Sequence, residues 1–248
     1  MSLAPAVQVS SNTGRTDRTG AAAGRIAAFD WFFYVAVAAV AATVVRVIWF
    51  TPIEARQGPA QKIFYVHAPS AFVALYLAFA LMALASALYL WLHDERLDRL
   101  AESSAEVGLV FTTAVLVTGP IWGKTVWGTF WTWDARLTAT LFLWFLIVGY
   151  LVLRGAVDDH AMRARYSAVL ALLSAVLIPF IHLSVYMFRT LHPRPIVFKP
   201  SEPSLSPEML RTFLLALGSM TLLFVALLRV RYRLATERYW IDEVEGTA

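Results

Sequence analysis

Six long apolar runs alternate with short polar stretches along this chain. The runs cover residues 27–50, 70–92, 106–122, 137–154, 166–188 and 209–228. Most are close to the ~20 residues that a helix needs to cross the hydrocarbon core of a bilayer. The third and fourth runs are slightly shorter, at 17 and 18 residues. The pattern therefore predicts an all-α integral membrane protein with six transmembrane helices.

The composition supports this prediction and limits the metal ligands that the chain can offer. The chain has 248 residues, of which 59% are hydrophobic and 15% are charged, and its mean hydropathy is +0.62. In a soluble domain about a quarter of all residues are charged. Because the chain has no cysteine, disulfides, thiolate ligands and iron–sulfur clusters are excluded. Any metal chemistry must therefore rest on His, Met, Asp, Glu or Tyr.

The two ends of the chain differ from the apolar middle. Residues 1–24 are small and polar without apolar periodicity, which predicts a disordered cytoplasmic tail. We do not expect a cleaved signal peptide there, because no short apolar stretch follows a basic start. Residues 25–233 are predicted to form the transmembrane domain, and residues 234–248 a cytoplasmic C-terminal tail.

The basic residues predict the orientation. The side that carries both termini holds twelve Lys and Arg residues, and the other side holds nine. By the positive-inside rule both termini lie in the cytoplasm, and the 51–69, 123–136 and 189–207 loops lie on the outer face of the membrane. The formal charge of +4 comes from residues that flank apolar runs. We therefore interpret it as a topology signal rather than as a nucleic-acid surface.

The segment from Trp122 to Thr138 is predicted to be a tryptophan-rich loop on this outer face. It reads W-G-K-T-V-W-G-T-F-W-T-W-D-A-R-L-T and holds four of the nine tryptophans. Two interpretations stay open from the residues alone. The indoles can form an interfacial anchor belt, or they can form a platform for a flat apolar ligand. Asp134 is expected to cap the fourth helix or to form an ion pair with Arg136.

Histidines are the other candidate functional residues. His93 and His160 lie in short charged loops, and we expect both to be solvated. His182 lies roughly 9 Å inside the fifth helix, where we expect a structural hydrogen bond, with Pro179 kinking the helix and freeing a carbonyl. His67 and His192 both emerge on the tryptophan side. Considered singly, each of these two histidines can be an ordinary residue at a helix end or in a loop. Together they can form a paired-imidazole site.

The segment W-G-T-F-W-T-W-D-A-R-L-T, residues 127–138, resembles the tryptophan-rich WWD signature of the heme-handling proteins of cytochrome c maturation. Residues 27–233 as a whole resemble the CcmC family, the heme exporter protein C proteins. The motif is specific, because it fixes three tryptophans, an acid, an arginine and a threonine in one register.

The resemblance implies that His67 and His192 are the axial ligands of a transiently bound heme b. In the family one ligand precedes x-Pro before the second helix, as in Y-V-H-A-P here, and the other ends a T-L-H triplet after the fifth helix. A Trp-Trp pair and a glutamine of the family pattern are replaced here by Tyr186-Met187-Phe188 and Pro193. Both departures bear on the geometry around His192.

The paired imidazoles and the indoles suit a porphyrin, since imidazole nitrogen binds iron and indole contacts a flat apolar ring. The propionates of a heme need cations, and Arg56, Lys62 and Arg189 lie in the same loops as the other candidates. We expect the following residues to contact the heme: Trp122, Lys124, Trp127, Trp131, Trp133, Asp134 and Arg136.

The function that the resemblance implies is heme delivery rather than catalysis. The resemblance implies a bacterial inner-membrane protein whose tryptophan-rich loop lies on the periplasmic face. Such proteins present heme to the periplasmic heme chaperone CcmE and work with the small protein CcmD and the ABC-transporter subunits CcmA and CcmB. Three alternatives stay open. A b-type electron-transfer cytochrome would bind heme through histidines within the spans, a heme ligase would be a larger protein of the same signature, and a transporter would carry polar groups near the bilayer midplane.

Overall fold

The computed structural model describes residues 30–246, with side chains as far as residue 241. Every regular element in this range is a helix, apart from one isolated bridge between Glu54 and Gly58. Six helices are long and apolar enough to cross a membrane, which confirms the predicted fold class. They are α1 Trp31–Phe50, α2 Pro59–Leu92, α3 Glu95–Trp127, α4 Ala135–Ala156, α5 His160–Met187 and α6 Pro207–Gly246.

Helix α2 begins earlier than its apolar run. The apolar run at residues 70–92 predicts a start near residue 70, and this prediction is wrong. The helix opens with a 3-10 turn at Pro59–Ile63 and is α-helical from Phe64. Pro69 lies inside it and forgoes one backbone hydrogen bond. His67 is therefore carried by the helix itself rather than by the loop before it.

Helix α3 shows the largest difference from the sequence prediction. The polar stretch at residues 93–105, between the second and third apolar runs, predicts a loop, and this prediction is wrong. Only His93 and Asp94 form the turn between α2 and α3. His93 has φ 57° and ends α2, and the Asp94 side chain caps α3. The polar residues that follow are helical because several of them pair with other helices. Asp98, for example, forms a bidentate ion pair with Arg154 of α4.

The tryptophan-rich loop is shorter than predicted. Trp122 and Trp127 lie in the last turns of α3, and the helix ends at Gly128, whose φ of +76° favours glycine. The loop itself runs from Gly128 to Asp134.

Helices α4, α5 and α6 also extend beyond their apolar runs. Helix α5 is interrupted by a turn at Val176, three residues before Pro179, as the predicted kink requires. Residues 234–246, predicted as a tail, continue α6. The tail predicted at residues 1–24 lies outside the described residues.

The core lies where α2 packs against α3, α5 and α6. Buried side chains of α2 such as Phe79 and Met82 meet Leu143 and Ile147 of α4 in one cluster. Helix α1 lies at the periphery and packs mainly against α6. Because successive helices run in opposite directions, the start of α2, the end of α3, the start of α4 and the end of α5 meet at one end of the bundle.

Candidate functional site

His67 is held by helix α3. Its side chain is 8% exposed, and its Nδ1 lies 3.0 Å from the Thr118 hydroxyl. Gly119, the next residue of α3, leaves room for the ring. A Cβ added at Gly119 would lie 3.0 Å from His67 Cε1. Two adjacent residues of α3 thus fix the position of this imidazole.

His192 is held by the loop after α5. Its backbone N–H donates to the Thr190 hydroxyl over 2.9 Å, and the preceding N–H of Leu191 donates to Asp134 Oδ2 over 3.2 Å. The His192 ring centre lies 6.4 Å from that of His67, with 28° between the ring planes. The structure therefore brings together two histidines that are 125 positions apart in the sequence.

Two of the four tryptophans connect the histidines. The Trp122 ring lies 5.7 Å from that of His67 and 6.3 Å from that of Trp127. The Trp127 ring in turn lies 5.6 Å from that of His192. The Trp122 Nε1–H donates to Gln57 Oε1 over 3.0 Å, which fixes this indole. The four rings form a closed circuit of two imidazoles and two indoles.

The other two tryptophans lie apart from this circuit. Trp131 and Trp133 contact each other edge to face, with ring centres 5.7 Å apart. Trp133 is 77% exposed, and the buried Nε1–H of Trp131 has no hydrogen-bond partner in the described part of the chain. Lys124 lies over the Phe130 ring, and its Nζ donates to the Gly128 carbonyl over 3.1 Å. Lys124 is thus engaged with its own loop.

Asp134 has two structural roles. Its Oδ1 accepts from the backbone N–H groups of Arg136 and Leu137 over 3.0 and 2.9 Å, which confirms the predicted cap of α4. Its Oδ2 accepts from Leu191 and so connects the tryptophan loop to the His192 loop. Among the described residues Asp134 and Arg136 form no ion pair, so the cap is the alternative that the structure supports.

The positive charge of Arg136 acts on both histidines. Burial, followed by the charges of Arg136 and His67, lowers the pKa of His192 to about 3. The His192 imidazole is therefore neutral at physiological pH and has a lone pair available. Its Nδ1 is buried without a hydrogen-bond partner among the described residues.

The remaining histidines are not part of the circuit. His182 Nδ1 lies 2.5 Å from the Tyr76 hydroxyl, so the expected hydrogen bond is present, although its partner is a side chain rather than a carbonyl. His93 and His160 are exposed, as predicted, and each lies at a helix end. His160 also contacts Arg163 and Tyr239.

The donor set fits an iron porphyrin better than a bare metal ion. Metal–imidazole bonds are about 2 Å long, so two imidazoles that share one iron have ring centres roughly 6 Å apart. The observed separation of 6.4 Å agrees with this value. Residues 30–241 contain no cluster of three or more His, Cys, Asp or Glu side chains that could hold a metal. A bare ion would lack ligands there, whereas a porphyrin brings four of its own.

The fold and the site define a class, namely multi-pass membrane proteins with a paired-imidazole site bordered by indoles. The family model for heme exporter protein C matches residues 12–243. The chain is 36% identical over 211 residues to heme exporter protein C of Haemophilus influenzae, covering 82% of this chain and 85% of that protein. It is 36% identical over 220 residues to heme exporter protein C of Escherichia coli strain K12, covering 86% and 89%. The chain belongs to the heme exporter protein C family.

A mitochondrial relative extends this similarity. A protein of Marchantia polymorpha, named as a putative cytochrome c biosynthesis ccmC-like mitochondrial protein, is 35% identical over 164 residues, which cover 66% of each chain.

Sequence reasoning missed three residues that hold the site, Gln57, Thr118 and Gly119. Thr118 and Gly119 lie in an apolar run, where threonine ordinarily bonds its own helix backbone and glycine is common. Their signal is the pair itself, a hydroxyl beside a missing Cβ, one turn before the tryptophan segment.

Proposed function

We propose that this chain binds heme b transiently at the periplasmic face of the inner membrane and delivers it to the heme chaperone CcmE during cytochrome c maturation. His67 and His192 are the axial ligands in this proposal. The observation that carries it is the 6.4 Å separation of the two rings beside two indoles. Membership of the heme exporter protein C family supports a role in heme handling, as a transfer component rather than a catalytic enzyme.

The surroundings of the two rings suit an apolar macrocycle. The rings of His67, His192, Trp122 and Trp127 form a wall in which only the two imidazoles can offer a nitrogen lone pair to iron. Burial of the porphyrin surface against such a wall contributes several kcal/mol, at roughly 25 cal/mol per Å². His192 stays neutral because of its lowered pKa, and neutral imidazole is the form that binds iron.

Arg136 is the residue best suited to a heme propionate. It is partly buried, and no described carboxylate lies within ion-pair distance of its guanidinium, whereas its charge reaches both histidines. A partly buried cation without a counter-ion favours an anionic ligand. Lys124 at the end of α3 and the unpartnered Trp131 Nε1–H of the loop are further donors at the same end of the bundle. Asp134 contributes indirectly, through the position of His192.

The geometry of His192 suits release as well as binding. Two backbone hydrogen bonds hold its loop, and the neighbouring Trp133 is exposed. A ligand on such a loop can leave the iron without rearrangement of the bundle. In our proposal CcmE takes up the heme at this open side, and CcmD with the ABC-transporter subunits CcmA and CcmB completes the complex in the membrane.

The absorption spectrum of the purified chain tests this proposal. We expect His67→Ala and His192→Ala to lose bound heme or to change its ligation, while His182→Ala keeps the wild-type bis-imidazole spectrum. His93→Ala is the control for loss of an exposed imidazole. Loss of heme in His182→Ala alone would instead favour a b-type cytochrome site within the spans. Transfer of heme from the wild-type chain to purified CcmE tests delivery separately.

A further inference from the structure

The Thr118 hydroxyl is positioned to select one tautomer of His67. Thr118 Oγ1 lies 2.6 Å from the Ala114 carbonyl oxygen of its own helix and 3.0 Å from His67 Nδ1. A hydroxyl has one hydrogen, and a carbonyl oxygen can only accept. The hydroxyl therefore donates to Ala114, and its oxygen accepts from His67. Nδ1 of His67 must carry the hydrogen in this arrangement.

We propose that Thr118 is a positioning residue that holds His67 as the Nδ1–H tautomer, so that the lone pair of Nε2 faces the iron. This inference rests on the proposed function, because it treats His67 as a heme ligand. In metal sites, a hydrogen bond to the outer nitrogen of a ligating imidazole fixes the tautomer and the ring orientation and raises the basicity of the ligand. No such partner is present for His192, whose Nδ1 is unpartnered among the described residues.

Two neighbouring features indicate that the Thr118–His67 contact is part of a defined binding position for the imidazole. Gly119 leaves the space in which His67 Cε1 lies, since an added Cβ would approach that atom to 3.0 Å. The Trp122 ring closes the same side of the imidazole, with ring centres 5.7 Å apart. The three residues are on one face of α3, at spacings of one and three positions. These three residues together place the His67 ring against α3.

The consequence is an asymmetry between the two ligands. His67 is preorganised by a helix and presents one nitrogen, whereas His192 is carried by a loop and can adopt either tautomer. His67 is therefore the ligand that stays on the iron, and His192 is the ligand that exchanges when heme leaves.

Thr118→Val tests the inference, because it removes the acceptor and keeps the shape of the side chain. In the apo protein, nitrogen NMR of labelled histidines should show the Nδ1–H form of His67 in the wild type and a mixture of tautomers in the variant. We expect heme affinity to fall by about 10- to 100-fold. The reduction potential of bound heme should become more positive, because a weaker imidazole donor stabilises ferric iron less.

Three further variants keep the test specific. Thr118→Ser retains the hydroxyl and should restore the tautomer, the affinity and the potential. Thr112→Val removes a buried hydroxyl that likewise donates to a carbonyl of α3, that of Gly108 at 2.8 Å, and should change none of them. Gly119→Ala should weaken heme binding while the Nδ1–H tautomer persists.

The outcomes separate this inference from the proposed function. If His67→Ala loses heme but Thr118→Val keeps both the wild-type tautomer and the affinity, Thr118 has no positioning role and the heme site stands. If His67→Ala retains the wild-type heme spectrum, both proposals are wrong.

Discussion

The two ends of the helix bundle stabilise their polar groups in opposite ways. One end, which we call the ionic end, is defined by Asp98, Glu102, Glu106, Arg154 and Arg231. Arg154 binds both carboxylate oxygens of Asp98, at 2.7 and 2.8 Å, and also Glu102 at 3.0 Å. Arg231 of α6 pairs with Glu106. These charges connect α3 with α4 and α6 through short ion pairs.

The other end, which we call the aromatic end, is defined by His67, Trp122, Trp127 and His192. Its polar groups are neutral rings rather than ions, and several donors or acceptors lack a partner, including His192 Nδ1 and Trp131 Nε1. Arg136, which is partly buried beside these rings, forms no ion pair with a described carboxylate. Here the chain leaves neutral nitrogen atoms available to a ligand, whereas at the ionic end the carboxylates are paired with arginines of other helices. Unpartnered buried atoms occur at the ionic end as well, among them Arg154 Nε and the Tyr150 hydroxyl, so the two ends differ in the charge of their polar groups.

The comparison assigns stability to one end and ligand binding to the other. Buried ion pairs are costly to break, because the remaining partner is left as an uncompensated charge. Unpartnered polar atoms are tolerated where a ligand completes them. Substitutions at the ionic end should therefore lower stability without changing heme ligation. Substitutions at the aromatic end should mainly change ligation.

Arg154→Met should have the largest effect on stability. It leaves Asp98 buried without its cation, and we expect the free energy of unfolding to fall by about 3–5 kcal/mol. Thermal unfolding in detergent measures the loss, and the heme spectrum of the folded fraction should be unchanged. Arg96→Met, at an exposed position of α3, is the matched control and should cost less than about 0.5 kcal/mol. Equal melting of the two variants would contradict the comparison.

Gly108→Ala tests the helix packing next to the ionic end. A Cβ at Gly108 would lie 2.5 Å from Phe79 Cε1 and 2.9 Å from Ala78 Cβ. We expect a loss of about 1–3 kcal/mol from overpacking. Gly149→Ala in α4 is the control, because nothing lies within 4 Å of its added Cβ and alanine favours a helix. A Gly108→Ala variant as stable as Gly149→Ala would show that α2 and α3 can separate at little cost.

The number of helices could be predicted from the sequence, but their ends could not. Apolar runs identify the part of a helix that contacts lipid or core. The charged start of α3 looks like a hydrated loop until Asp98 and Arg154, 56 positions apart, are found to neutralise each other. The end of α3 was also missed. Trp122 and Trp127 are helical, but the glycines between and after them make the segment look like a loop.

The sequence predicts the four rings that the structure brings together, but it does not predict the contacts that hold them. His67, His192 and the tryptophan segment carry chemistry that stands out in an apolar chain, and the alternation of loops places them on one side. The contacts that hold them join distant positions through common residues. The Asp134–Leu191 hydrogen bond has no pattern of its own in the sequence, and the Thr118–His67 contact has only the Thr-Gly pair before the tryptophan segment.

Asp134→Asn tests whether the aromatic end depends on the connection between its two loops. An amide has one acceptor oxygen, so it can cap α4 or accept from Leu191, but not both. We expect a stability loss of about 1 kcal/mol and weaker heme ligation through His192, measured by the spectrum and by heme titration. Asp159→Asn, at the cap of α5, is the control and should leave ligation unchanged. Wild-type heme affinity in Asp134→Asn would show that the connection is dispensable.

The smallest expected effect is a dependence of stability on pH that arises from His192. The unfolded chain protonates this histidine near its ordinary pKa of about 6.5, whereas burial and Arg136 lower the pKa in the folded chain to about 3. The unfolded state thus binds more protons as the pH falls below 6.5, and stability is lost in that direction, by less than about 1 kcal/mol between pH 7 and 6. Thermal midpoints of the apo protein at pH 7, 6 and 5 should fall more steeply for the wild type than for His192→Gln. Parallel curves would mean that the His192 ring is hydrated in the folded chain, and the aromatic end would then not hold the neutral imidazole on which its comparison with the ionic end rests.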